Sequence, residues 1–208
     1  MKFYASSFRL CSQPARLPQL FSGSAKIALI SNALDFSSDH ARRDRGVARE
    51  IADLSALGLE PTPIDLRRYF GDPSATERML GSFNGVWVIG GNAFTLRRAL
   101  KYSGLDALLK DMASSGDPFV YAGYSAGSCI LGPTLDGIHL VDPPDAPADG
   151  YEAETIWDGL GLLPFSIAPH FKSDHPESAM IDSVVAYFEA KGLPYRALRD
   201  GEAIVISR

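Results

Sequence analysis

The sequence predicts an α/β fold: a doubly wound, mainly parallel sheet with helices on both faces. Three observations predict it. Short apolar runs, Ile27-Ala28-Leu29-Ile30, Val86-Trp87-Val88-Ile89, 119–122 and 165–168, have the length and composition of strands buried on both sides. Segments of helical period separate these runs at the spacing of strand–helix units. With 208 residues, 46% hydrophobic and 22% charged, the chain is long enough for one substantial core. It shows neither internal repeat nor linker, so residues 1–208 read as a single domain.

The elements follow in chain order. Residues 1–11 read as a first strand, because Ser6, Ser7 and Arg9 interrupt the apolar core that a signal peptide needs. Residues 38–57 form an amphipathic helix, with Val47, Ile51, Leu54 and Leu57 on one face and Arg42, Arg43, Arg45 and Arg49 as a solvated one. Gly90-Gly91-Asn92 closes the strand 86–89 and opens a helix containing Phe94 and Leu96; 105–112 is the next helix. Residues 137–141 read as β-like, with His139 facing solvent. Between 142 and 158 stand six acids, no base and prolines 143, 144 and 147, which marks a mobile surface loop or a lid. The helix 176–191 has proline in its first turn and turns Met180, Ile181, Val184, Val185 and Phe188 inward. Residues 195–198 and 203–206 flank Arg199-Asp200-Gly201 and read as a C-terminal β-hairpin with an Asp-Gly turn.

A formal net charge of −5 argues against nucleic acid as a partner. No apolar run approaches the ~20 residues that span a bilayer. The two cysteines, Cys11 and Cys129, form neither metal-ligand spacing nor a disulfide framework. The expectation is therefore a cytoplasmic protein with no cofactor, metal or membrane partner. Cys129 falls one turn after position 125, where a small buried apolar residue belongs.

The chemistry centres on Gly123-Tyr124-Ser125-Ala126-Gly127, directly after the apolar run 119–122. A strand that turns sharply into a helix, with glycines two before and two after the serine, holds the serine strained with its hydroxyl exposed. The helix start then aims N–H groups at an oxyanion beside it. A serine hydroxyl needs a base. Of four histidines, His40 starts a surface helix, His139 lies in the β-like run, and His175 adjoins a proline at a helix start. His170 follows the strand 165–168 through Pro169 and so shares the C-terminal sheet edge with Ser125. Asp200, at the tip of the final turn, is the first choice for the acid that orients this base, with Asp136 as alternative and Asp142 and Asp174 behind. Ala126 supplies one oxyanion N–H by position; the segment 90–92 is the candidate for the second.

Gly90-Gly91-Asn92-Ala93-Phe94-x-Leu96, the serine elbow and Ala168-Pro169-His170-Phe171 together resemble the peptidase E family of serine peptidases. That family includes the α-aspartyl dipeptidases and is related to cyanophycinase. The resemblance covers nearly the whole chain. It implies Ser125 as nucleophile, His170 as general base, and Gly91 and Ala126 as oxyanion-hole donors. The family's acid, a glutamate near the C-terminal strands or an aspartate after the elbow helix, corresponds here to Asp200 or Asp136. The implied fold is similar to class I glutamine amidotransferases, and the implied activity is hydrolysis of short peptides by a monomer or homodimer. The aspartyl dipeptidases carry basic side chains just beyond the histidine. This chain has Phe171-Lys172-Ser173-Asp174-His175-Pro176-Glu177 there, which weakens attraction for an acidic substrate side chain. The competing classes are an α/β-hydrolase-type esterase, whose Ser–Asp–His order Asp142 and His170 would satisfy, and a binding protein of the same fold without turnover.

Overall fold

Alternation along a strand sends successive side chains to opposite faces of a sheet. The chain, described for residues 1–23 and 25–207 in a computed structural model, buries both faces. In β2 (Lys26–Ile30), Ile27 and Leu29 enter one core while Ala28 and Ile30 enter the other. β4 (Gly85–Val88) divides Trp87 from Val86 and Val88, and β5 (Val120–Tyr124) divides Val120 and Ala122 from Tyr121. β1 (Lys2–Ser6) sends Phe3 and Ala5 one way and Tyr4 the other.

Helix α1 (His40–Ala56) covers the Trp87 face through Val47, Ile51 and Leu54. Its N-terminus is capped by Asp39, which accepts the Arg42 N–H at 2.8 Å. The opposite face is covered by α2 (Pro73–Leu80), α3 (Ala93–Ser103), α4 (Leu105–Ser115), the single turn α5 (Ala126–Cys129) and α6 (Ser178–Lys191). The expected layered α/β arrangement is present. Among the described residues, no helix is long and apolar enough to cross a membrane.

The six-stranded sheet runs β3-β2-β4-β5-β1-β8, parallel except for its last strand. Its first strand, β3 (Glu60–Ile64), carries Pro61 and Pro63. Proline cannot donate to a ladder, so such a strand belongs at an edge, where only β2 pairs with it.

The C-terminal hairpin does not form, although its turn does: the Glu202 N–H donates to Arg199 O at 2.9 Å. The flanking strands part into different sheets. β7 (Tyr195–Ala197) pairs in parallel with β6 (Ser166–Ala168), while β8 (Ala203–Ile206) pairs antiparallel with β1. An isolated two-stranded hairpin is marginal in water, whereas β1 offers an unpaired edge flanked by two cores. The run 165–168 accordingly supplies β6 to this small second sheet and not a strand of the main one.

Three smaller expectations change. Residues 137–141 contain a single helical turn, Ile138–Leu140, and no strand. Met180 is exposed because it lies off the Ile181–Val184–Val185–Phe188 stripe of α6. Arg43 is not a solvated side chain; it pairs with buried Asp35 and donates to Ser31 Oγ at 3.1 Å.

Candidate active site

The expected elbow forms. β5 ends at Tyr124, and Ser125 follows at φ 50°, ψ −119° before α5 begins. That backbone region costs a non-glycine residue about 1–3 kcal/mol, so surrounding contacts must impose it. The Ser125 N–H donates to Ser7 O at 3.1 Å, tying the elbow to the end of β1. The Ser125 carbonyl accepts from the Ser128 and Cys129 N–H groups at 2.8 and 2.9 Å. A side chain at Gly127 would bring its Cβ to 2.3 Å from Val88 O, so only glycine lets the turn pack on β4.

Of the two glycines after β4, Gly90 meets the serine directly. A Cβ at Gly90 would lie 2.9 Å from Ser125 Cβ and 3.3 Å from its Oγ. Gly91 adopts φ 145°, and its Cβ would overlap Ala33 O at 2.4 Å. Among the described residues, neither the Gly91 nor the Ala126 N–H has a protein acceptor. Cys129 is buried behind the elbow, as expected.

His170 lies just past β6 at φ 59° and is buried. Its Nδ1 meets Asp200 Oδ1 at 2.8 Å. The β6–β7 register accounts for this contact: Ala168 faces Ala197, so the two strand ends release His170 and Asp200 side by side. Backbone bonds from Leu198 N–H to Ala168 O and from Phe171 N–H to Leu198 O, both 2.9 Å, hold the two exits together. Burial lowers the pKa of His170 more than hydrogen bonding to Asp200 raises it, and the nearby His175 lowers it further, so the ring favours its neutral, basic form. No hydrogen bond joins Ser125 Oγ to His170 among the described residues.

Asp136 sits in the turn before Ile138–Leu140. Its described hydrogen bond runs from its N–H to Thr134 Oγ1 at 3.0 Å, so its carboxylate is not engaged with His170. Asp142, the acid that the esterase order requires, instead accepts the Ala93 N–H at 2.8 Å.

Ser7 was not foreseen as a site residue. Its carbonyl accepts the elbow N–H, while its hydroxyl accepts the His170 N–H at 2.7 Å and reaches Asp200 Oδ1 at 2.7 Å. One residue thus touches the segments of Ser125, His170 and Asp200. Ser173 adds a second support, its Oγ accepting the Asp200 N–H at 2.8 Å. Ser7→Ala removes the hydroxyl that both the His170 N–H and Asp200 Oδ1 meet, and is expected to lower kcat roughly 10-fold with KM little changed. Steady-state kinetics of the variant measure it.

A small cleft opens at the serine. Ala126, Cys129, Ile138, Val141 and Ile181 form an apolar lining, and Asp142 and Glu177 are its charged groups. Burial, helped by the Glu177 charge, raises the Asp142 pKa to about 7 against the opposing Ala93 N–H bond. Its folded value exceeds its unfolded one. Asp142 therefore contributes stability at low pH that is lost as pH rises through about 7. Asp142→Asn is expected to flatten that decline, so that its urea midpoint exceeds wild type at about pH 8 but not at about pH 4.

The acidic segment 142–158 is latched onto α3. Buried Arg98 donates to Ala146 O at 2.5 Å, and buried Arg97 to Asp158 O at 2.8 Å. Asn92 Nδ2 donates to Pro143 O at 2.9 Å, Lys101 pairs with Glu154 at 2.7 Å, and Trp157 packs edge-on against Phe94.

A strained serine at the C-terminal edge of the six-stranded sheet, with a histidine–aspartate pair at the end of the two-stranded sheet and not on the shared edge the sequence suggested, is an arrangement of the hydrolase class. Comparison with known proteins places the chain within that class. The model of peptidase family S51 matches residues 16–208. The chain is 30% identical over 153 residues to an uncharacterized peptidase of Listeria innocua, covering 74% of this chain and 68% of that one. It is 30% identical over 185 residues to peptidase E of Streptomyces coelicolor, covering 85% and 66%. The crystal structure of a protein assigned as peptidase E from Listeria monocytogenes EGD-e superposes with TM-score 0.74 at 22% identity, over 99% of this chain and 93% of that one. A peptidase from an acI-B1 actinobacterium shares the fold with TM-score 0.68 at 13% identity, over 98% and 82%. The chain belongs to peptidase family S51. Its enzyme class is that of a serine-type peptidase, a hydrolase.

Proposed function

We propose that the chain cleaves short peptides, with Ser125 as nucleophile, His170 as general base, Asp200 as the acid that orients it, and the Gly91 and Ala126 N–H groups as the oxyanion hole. The single observation that carries this reading is the Asp200–His170 hydrogen bond, whose two segments Ser7 joins to the strained Ser125. With Nδ1–H donated to Asp200, the ring's Nε2 holds the lone pair that takes the Ser125 proton. Substrate binding tightens the Ser125–His170 approach, as happens when a resting site closes on its Michaelis complex. The hydroxyl attacks the peptide carbonyl, the two N–H groups hold the oxyanion, and His170 returns the proton to the departing amine. Water then releases the acyl group by the same route.

The cleft also supports a substrate preference. Its charged lining is acidic, and Lys172, the single lysine of the stretch 171–177, stacks its Nζ over the Phe171 ring at 5.0 Å. Short peptides with a neutral first side chain fit this lining better than those beginning with aspartate. Labelling with a fluorophosphonate, followed by a dipeptide panel, tests the whole reading. Modification at Ser125 with cleavage of neutral dipeptides supports it. An unlabelled serine overturns the nucleophile, and hydrolysis of simple esters alone favours the esterase class.

A further inference from the structure

We propose that His170, His175 and Glu177 form a binding site for Zn2+ whose occupancy shuts off the peptidase. Each offers one ligand atom, and these atoms all lie within 4.8 Å of one another. Bonds of about 2.0–2.2 Å in tetrahedral geometry put zinc ligands about 3.4 Å apart, so the cluster needs a contraction in distance together with a turn of one ring. Two imidazoles and one carboxylate are a donor set zinc accepts, with water in the fourth position, and they favour it over the oxygen-seeking Mg2+ and Ca2+.

The second layer around the cluster is already arranged. Asp200 on Nδ1 fixes the His170 tautomer and leaves the Nε2 lone pair on the Glu177 side, where Oε2 stands 4.0 Å away. A carboxylate behind a histidine is the arrangement that orients metal-binding imidazoles. Glu177 has no Lys or Arg partner among the described residues, and its carboxylate borders the Ser125 cleft.

His175 is the part that moves. Its ring stacks on His170 with centroids 3.7 Å apart and planes at 8°, so their in-plane lone pairs run side by side and cannot meet at one ion. Turning the ring out of the stack gives up one long hydrogen bond, in which its Nδ1 accepts the Glu177 N–H at 3.3 Å. The ring is half-buried on an irregular loop, which permits that rotation. Once bound, zinc occupies the Nε2 lone pair that would take the serine proton.

Metal binding stands on the cluster alone, whereas the inhibition rests on the proposed role of His170. The test separates them. Metal-free protein titrated with Co2+ is expected to show the visible absorption of a tetrahedral complex, at one ion per chain, and Zn2+ is expected to displace it. Ser125→Ala should bind both ions as wild type does. His175→Ala, measured against its own zinc-free rate, should require at least ~10-fold more Zn2+ for half-inhibition. Glu177→Gln should weaken Co2+ binding in the same direction, which guards against a folding defect in either variant. A silent Co2+ titration, or a His175→Ala variant as zinc-sensitive as wild type, overturns the site. A Ser125 that resists the fluorophosphonate, with Co2+ binding intact, overturns the peptidase mechanism and leaves the metal site standing.

Discussion

Ser125→Ala is expected to lower turnover about 10⁴-fold or more while leaving the protein folded. The alanine inherits the same strained φ of 50°, so the elbow's conformational cost is unchanged. The lost hydroxyl makes no hydrogen bond among the described residues, and stability should stay within about 0.5 kcal/mol of wild type. Dipeptide hydrolysis, fluorophosphonate labelling and a denaturant midpoint measured together decide the matter. Residual turnover above roughly 1% of wild type would move the nucleophile elsewhere.

Asp200→Asn should lower kcat by about 10²–10⁴-fold. An amide facing His170 Nδ1 can donate where the carboxylate only accepts, and that selects the tautomer with its proton on Nε2, leaving no lone pair for the serine proton. It also withdraws an acceptor that Ser7 Oγ reaches at 2.7 Å. Asp136→Asn should stay within about 3-fold of wild type, because its carboxylate is not engaged with the histidine. Reversed results for the two variants would transfer the acid role to Asp136.

The central strands were legible because burial on both faces leaves uninterrupted apolar runs. β3 was not, since Pro61 and Pro63 contradict strand propensity and only an edge position tolerates them. The C-terminal turn was legible, but its hairpin was not. An Asp-Gly turn reports local backbone geometry, whereas the partners of β7 and β8 depend on edges formed by distant segments. Ser125, His170 and Asp200 could be picked out as candidates because each follows a recognisable strand or sits in a recognisable turn. Ser7 could not, because its hydroxyl acquires meaning only when β1 lands beside β5. The same holds for Asp142, whose carboxylate meets an N–H that a different strand–helix unit supplies. The acidic composition of 142–158 indicated poor sheet pairing, but gave no sign that Arg97 and Arg98 would anchor its backbone.

The hydroxyl of Ser7 reaches 163 positions along the chain to the His170 N–H and 193 to the Asp200 carboxylate. During synthesis Ser7 and Ser125 emerge before His170 and Asp200, and β1 waits for β8 until nearly everything has been translated. Such distant pairings are slow to close. Until the two ends meet, a nascent chain lacks the contacts of Ser7 with His170 and Asp200.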